Sequence, residues 1–220
     1  VFFSVQMHGY ILSDGDHRPV THYVSWRDTL FRKLGTAFPF SLPEESGTAI
    51  KNNLPALSIY ARSKLCPEVL QRAVYFDTLG SYIVYRLTGA NMVHITDACP
   101  TGFYLLPQGR LNAALVQEPC FRRLRFPTAV TEVCVAGQYR GADVYVSVGD
   151  QQASALGVGL TTDEYLVNTG TAGQICCLSD RFVSGAFESR PYFDGKTLCT
   201  VSGLVGGVCT DADADEQKMK

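Results

Sequence analysis

Short apolar segments separated by turn residues recur along the chain and predict β-strands. Three lie near the amino terminus, at 1–5, 10–12 and 22–26, and a fourth at 143–148 leads directly into Asp150. The last segment is rich in β-branched and aromatic residues, which favour buried strands. Because helical patterns lie between these strands, the sequence predicts a mixed sheet with helices on both faces.

The helical patterns lie mainly in the middle of the chain. Apolar residues at helical spacing span 57–65 and stop at Cys66-Pro67, and 68–72 follows as a short helix. A longer amphipathic helix is predicted over 78–87, ended by Thr88-Gly89. Residues 153–160 are small and apolar, which predicts a helix or packed turn. A change of lobe is expected between about Ala153 and Thr162.

An acidic residue followed by a hairpin is the most informative local pattern. Asp150 comes at the carboxyl end of its strand, where open α/β sheets place ligands. Segments 164–167 and 174–178 form the hairpin around the turn Asn168-Thr169-Gly170-Thr171. Hydroxyls and glycine N–H groups can bind phosphate oxygens, and a carboxylate can accept a proton or help to place a metal. The alternative is that Asp150 is only a turn residue.

Two other strand ends carry polar or aromatic side chains. The first is followed by His8, and the third ends at Trp26 and Asp28. These side chains are candidates for one polar pocket. The alternatives are that His8 caps a strand and that Trp26 is a core aromatic.

Composition and charge narrow the class of protein. The chain has 220 residues, is 46% hydrophobic and carries a formal net charge of -2, so we expect a globular protein with a substantial core. It has no cluster of Lys and Arg, which argues against nucleic acid as a partner. No apolar run approaches the roughly 18 residues needed to span a bilayer, so we expect a soluble protein without a membrane partner.

The eight cysteines do not indicate a disulfide framework or a metal site. They are few for this length and include no Cys-x-x-Cys pair. We interpret them as reduced thiols of an intracellular protein and assign no metal ligands. Asp194-Gly195-Lys196-Thr197 is not the end of a P-loop, because the earlier glycine of that motif would fall at Arg190 and the segment is typical of a hairpin turn.

Six motifs occur in the order found in FGGY carbohydrate kinases, and the resemblance spans Val1 to about Val208. The form of the first motif is most similar to the xylulokinase and sedoheptulokinase branches, and Pro191-Tyr192-Phe193 resembles the sedoheptulokinase side. The motifs are Gln6-Met7-His8-Gly9, Trp26-Arg27-Asp28, Tyr85-Arg86-Leu87-Thr88-Gly89, Thr96-Asp97-Ala98, Gly149-Asp150-Gln151-Gln152 and Asn168-Thr169-Gly170-Thr171.

The resemblance implies an α/β fold of the actin-like (ribonuclease H-like) ATPase-domain type. Residues 1–155 would form the first lobe, residues 156–208 the start of the second lobe, and residues 209–220 a polar tail. The implied activity is ATP-dependent phosphorylation of a ketose hydroxyl.

The family also implies roles for individual residues. Asp150 would be the general base that takes the proton from the attacking hydroxyl. Phosphoryl transfer depends mainly on alignment and charge neutralisation, so an ionised Asp needs only to be well placed. Met7, His8, Trp26, Asp28 and Gln151 would bind or adjoin the sugar, and Thr169, Gly170 and Thr171 would hold nucleotide phosphate.

The implied cofactors are ATP and Mg²⁺, and the implied partner is a ketose such as sedoheptulose or xylulose. The sequence leaves the oligomeric state open, with a homodimer as one alternative. A cytoplasmic location is expected.

Three departures from the family pattern leave a second functional class open. Leu30 stands where many members have an Arg two places after the aspartate. The first Asp-x-Gly-Thr phosphate loop and the adenosine-binding glycine motif are both absent from this sequence. The chain would then be an incomplete kinase, inactive alone; the alternative is a non-catalytic sugar-binding or interaction module.

Overall fold

The computed structural model describes residues 1–48, 50, 54–169 and 172–205. The strands are β1 Ser4–Val5, β2 Ile11–Ser13, β3 Tyr75–Asp77, β4 Met92–His94, β5 Tyr104–Leu105, β6 Arg110–Leu111, β7 Thr128–Val130, β8 Val135–Tyr139, β9 Ala142–Tyr145, β10 Val148–Gly149, β11 Tyr165–Thr169, β12 Ala172–Ser179, β13 Glu188–Pro191 and β14 Thr197–Val205.

The α-helices are α1 Pro55–Leu65, α2 Pro67–Arg72, α3 Leu79–Thr88, α4 Ile95–Ala98, α5 Ala113–Val116 and α6 Asp150–Gly157. Short 3-10 helices occur at Leu30–Leu34, Glu44–Ser46, Cys99–Thr101 and Phe193–Gly195.

Two parallel strand pairs form the layer that leads to Asp150. β1 pairs with β10, and β4 pairs with β7. The backbone N–H of His94 donates to the carbonyl of Ser147 at 3.2 Å, which joins the two pairs. Antiparallel pairs β2–β3 and β8–β9 complete a mixed arrangement, as the sequence predicts, although regular pairing is confined to short strands.

The boundaries of α3, at Leu79 and Thr88, lie within one residue of the predicted helix at 78–87. The Oγ1 of Thr78 accepts the backbone N–H of Ser81, and Gly89 ends α3 with a φ of 78°. A left-handed conformation of this kind suits glycine because it has no Cβ. The predicted break between α1 and α2 at Cys66-Pro67 is confirmed.

The predicted third strand at 22–26 is wrong as a regular strand. Only one bridge forms, between Tyr10 and Val24. The chain then turns, with the N–H of Asp28 donating to the carbonyl of Ser25 at 3.0 Å. This turn ends the strand pairing before it can extend.

The predicted hairpin at 164–178 is confirmed as β11 and β12, which belong to a four-stranded antiparallel sheet in the order β11-β12-β14-β13. Asp194 and its neighbours lie in the connection between β13 and β14, not at the start of an α-helix. The predicted turn at this position is therefore confirmed.

Buried side chains form two separate hydrophobic clusters. The larger one draws on residues between Tyr10 and Leu124, including the aromatic rings of Phe76, Phe103 and Phe121. The smaller one comprises Ala155, Cys176, Leu178, Tyr192 and Leu198, and therefore packs α6 against the four-stranded sheet.

The seven cysteines in the part of the chain that the structure describes are free thiols. Among the described helices, none has the length and apolar character needed to cross a membrane.

Candidate active site

Asp150 lies at the junction between a buried strand and a helix. β10 ends at Gly149 and α6 begins at Asp150. The backbone N–H of Gly149 donates to Thr96 Oγ1 at 3.0 Å, which fixes the strand end. The side chain of Asp150 is exposed, and one carboxylate oxygen accepts the N–H of Gln151 at 2.8 Å. A rigid backbone therefore presents a carboxylate that can be reached from solvent.

Met7 packs closely against this junction. A Cβ added to Gly149 would lie 2.7 Å from the Sδ of Met7 and 2.7 Å from the Oε1 of Gln152. Only glycine allows this close approach, because any side chain would displace Met7. The structure thus places Met7 against Gly149, directly before Asp150.

A buried polar network lies beside Asp150 and connects it to the four-stranded sheet. Arg190, on β13, is 8% exposed and forms an ion pair with Glu188, with Nη2 at 2.6 Å from Oε2. Nη1 of Arg190 donates to Oε1 of Gln151. The amide nitrogen of Gln151 donates to Gln174 Oε1 at 3.0 Å and to Thr200 Oγ1 at 3.3 Å. Gln151 therefore joins α6 to three strands of the sheet.

Two opposing influences act on the carboxyl of Asp150. Partial removal from water by the surrounding protein raises its pKa. The backbone N–H of Gln151 and the positive charge of Arg190 act in the opposite direction. Burial of Arg190 in turn lowers the pKa of its guanidinium to about 10. The site thus pairs a carboxyl of raised basicity with a buried cation.

Asp97 is a second carboxyl close to Asp150, and it is fully buried. Its Oδ2 accepts the hydroxyls of Thr78 at 2.7 Å and Ser147 at 2.9 Å. Burial raises its pKa to about 7, and the negative charge of Asp150 adds to this rise. Near neutral pH, Asp97 is therefore protonated in a large fraction of the folded molecules.

Asp97→Asn is expected to raise the free energy of unfolding at about pH 8 by about 1–4 kcal/mol, with little change at about pH 4. The pKa of Asp97 is about 7 in the folded protein and lies above the ordinary value of 3.8. The stability of the wild type is therefore unaffected by this group at low pH and falls as the pH rises between these two values. Asparagine carries no charge and can still accept from Thr78 and Ser147. Urea unfolding at both pH values measures the difference.

The control for this experiment is Asp163→Asn at an exposed position. Equal effects of Asp97→Asn at both pH values would contradict the prediction, because the ionisation of Asp97 would then not limit stability.

Asp28 is held by a chain of hydrogen bonds from the core. Arg62 Nε donates to Tyr10 Oη at 2.7 Å, Tyr10 lies 2.8 Å from Ser58 Oγ, and Ser58 donates to Asp28 Oδ2. The carboxylate also accepts the N–H of Leu30 at 3.2 Å and lies 3.9 Å from Arg62 Nη2. Asp28 is thereby fixed in the wall of an open cavity of about 710 Å³.

Tyr23 lies between this cavity and the residues around Asp150. It lines the cavity with Asp28, and a Cβ added to Gly9 would lie 2.0 Å from its hydroxyl oxygen. Burial, followed by the negative charges of Asp97 and Asp150, raises the pKa of Tyr23 to about 12. Tyr23 was not a predicted site residue, because no sequence motif marks it.

His8 and Trp26 occupy different surroundings. His8 has a φ of 62°, uncommon for a residue other than glycine, and it lines a small cavity together with Arg190 and Ser189. Trp26 is 49% exposed, so the alternative of a core aromatic is wrong for it. The structure therefore brings His8 near Arg190 but leaves Trp26 on the surface.

The predicted phosphate turn begins next to the same network. Asn168 pairs with Gln174, which contacts Gln151. Thr169 pairs with Gly173 at the next position toward the turn. Thr169 is exposed at the end of β11. Gly170 and Thr171 lie outside the described residues.

Comparison with known proteins finds similarity to sugar and glycerol kinases. No known family profile matches the chain. A glycerol kinase from Nocardia farcinica is 25% identical over 182 residues, covering 74% of this chain and 35% of the relative. The sequence resemblance to FGGY carbohydrate kinases is confirmed.

Two solved structures show that the fold is that of the sugar kinases. A ligand-bound xylulose kinase from Lactobacillus acidophilus has a TM-score of 0.84 at 20% identity, covering 93% of this chain and 46% of that one. A xyloylose kinase from Brucella ovis has a TM-score of 0.85 at 18% identity, covering 98% and 47%. The chain thus has the actin-like fold over about half the length of these FGGY-type kinases.

Besides Tyr23, sequence reasoning missed Arg190 and Glu188 as polar residues of this candidate site. They stand two apart on β13, so they share one face of the strand. The only sequence signal for this ion pair is two opposite charges at this spacing before Pro191-Tyr192-Phe193. That signal does not indicate that the two side chains are buried. Contact with Gln151 joins positions 39 residues apart.

Proposed function

We propose that the chain is the greater part of the first lobe, and the start of the second, of an ATP-dependent sugar kinase. The observation that carries the proposal is the exposed carboxylate of Asp150 on a fixed strand end, beside Met7 and the Gln151 network. The two hydrophobic clusters support a division into two lobes near α6, whose Ala155 packs with the four-stranded sheet.

In this proposal Asp150 takes the proton from a sugar hydroxyl as that hydroxyl attacks the γ-phosphate. A general base must reach the proton that it removes, and an exposed carboxylate meets this condition. Its raised pKa makes it a better base than an ordinary Asp, while the charge of Arg190 favours the ionised form that can accept the proton. The proposed acceptor is a ketose, held on the side of Met7 and His8.

The proposed second substrate is a nucleotide phosphate that carries its own Mg²⁺ and binds beside Asp150. Thr169, exposed at the hairpin end, together with Gly170 and Thr171 would hold phosphate oxygens. Within the described residues no group of three or more His, Cys, Asp or Glu side chains could hold a metal. Mg²⁺ is commonly bound through few protein groups plus substrate phosphates, so we expect the ion to enter with ATP. When bound, Mg²⁺ supplies charge neutralisation on the phosphates.

Ketose-dependent release of ADP by the full-length protein tests the proposal. Xylulose and sedoheptulose should both be assayed, with glycerol and gluconate as other acceptors. Release with a ketose above the rate without acceptor supports the kinase. Sugar binding in the presence of ATP and Mg²⁺ without ADP release would favour the alternative, a non-catalytic sugar-binding module.

His8→Ala is expected to weaken ketose affinity by roughly 5–50-fold, because it removes a polar group that a hydroxyl-rich ligand would contact. Isothermal titration calorimetry of the full-length protein measures the change. Arg18→Ala, at an exposed position that lines neither cavity, is the control. An unchanged affinity for His8→Ala would assign His8 a structural role only.

A further inference from the structure

The buried cation beside Asp150 is held in a single orientation by partners on two elements. Nε and Nη2 of Arg190 both donate to Oε2 of Glu188, at 3.1 and 2.6 Å, and Nη1 donates to Gln151. The planar guanidinium fork fixes these directions together. Arg190 therefore has little freedom to turn away from α6.

Gln151 transmits this constraint to the start of α6. Its carboxamide oxygen accepts from Arg190, while its amide nitrogen contacts Gln174 and Thr200. Its backbone N–H donates to the carboxylate of Asp150. The residue that orients the carboxylate is thus itself anchored by β12, β13 and β14.

The charged groups that face Asp150 come from several elements. Arg190 contributes a positive charge from β13, with Glu188 behind it, and Asp97 contributes a negative charge from α4 when ionised. Tyr23 faces both carboxyls from the segment after β2. His8 lines the small cavity that Arg190 also lines. Among these, Arg190 is the cation whose charge favours ionised Asp150.

We propose that Arg190 is a positioning residue for Asp150, acting through the carboxamide of Gln151 and through its own positive charge. The inference rests on the proposed kinase function, because that function gives Asp150 its role as the general base. By this inference, the four-stranded sheet has two roles in the reaction. It carries the proposed phosphate turn, and it also sets the orientation and ionisation of Asp150.

The pH profile of turnover tests this role in the full-length protein. Glu188→Gln/Arg190→Met removes both charges of the buried pair together, which avoids leaving either one unpaired. The acid limb of kcat/KM for the ketose should move to higher pH by roughly one unit, since an opposite charge close to a carboxyl lowers its pKa by about that much or more. The loss of rate should then be greater at about pH 6 than at about pH 8.

Arg190→Lys and Arg18→Met serve as comparison variants. Lysine keeps the charge but cannot make the forked contacts, so the acid limb should stay near that of the wild type while kcat falls. Arg18 pairs with Asp16 at an exposed site, and its loss should change neither. An equal fall in rate at all pH values in the double variant, with no shift of the limb, would overturn the proposal.

A measurement that needs no turnover separates this inference from the proposed function. The ¹³C signal of the Asp150 carboxyl, assigned by its disappearance in Asp150→Asn, gives the titration midpoint directly. A midpoint that rises in Glu188→Gln/Arg190→Met supports the role of Arg190 even if no ketose is phosphorylated. An unchanged midpoint overturns it even if the kinase is active.

Discussion

Asp150→Asn in the full-length protein is expected to lower kcat for ketose phosphorylation by roughly 10²–10⁴-fold, the usual contribution of general base catalysis. Asparagine has nearly the same shape, and its oxygen can still accept the N–H of Gln151, so the fold should persist. It cannot take a proton from the sugar hydroxyl. Ketose affinity measured by calorimetry should therefore change by less than about fivefold.

Asp143→Asn is the matched control, because Asp143 lies on β9, the strand before β10, and is exposed. Its kcat should equal that of the wild type. A fully active Asp150→Asn protein would remove Asp150 from catalysis. A variant that loses turnover and ketose affinity to the same extent would indicate a binding role instead.

Arg190→Met is expected to lower the free energy of unfolding by about 3–5 kcal/mol, because it removes the buried cation that pairs with Glu188. Glu188 is only 6% exposed and Arg190 only 8%, so water cannot readily replace the lost contact. The variant also removes the donor to Gln151. Urea unfolding at neutral pH gives the difference directly.

Two further variants test whether the loss of stability comes from burial of the charged pair. Arg18→Met breaks the exposed pair with Asp16 and should cost less than about 1 kcal/mol. Glu188→Gln/Arg190→Met should recover most of the loss, since a neutral pair carries no unpaired charge. A double variant as unstable as Arg190→Met alone would show that lost packing, not the buried charge, dominates.

The sequence by itself determined the local elements and the family resemblance. The cap residues Thr78 and Gly89 mark α3 because their side-chain and backbone chemistry acts over one turn. The hairpin β11–β12 follows from a polar Gly-containing turn between two apolar segments. Asp150 was predicted as a candidate base from the apolar segment before it and from its motif, which are contiguous in the chain, although that segment folds as two strands, β9 and β10.

Tertiary structure alone decided how the polar groups around Asp150 are paired. The contact between Gln151 and Arg190, the burial of Asp97 by Thr78 and Ser147, and the position of Tyr23 over Gly9 each join distant segments. Sequence patterns report the preferences of neighbouring residues, whereas burial and charge pairing depend on which segments the fold brings together. For the same reason the segment at 22–26 has the composition of a strand yet makes a single bridge, because a turn at Ser25 leaves it without a longer pairing partner.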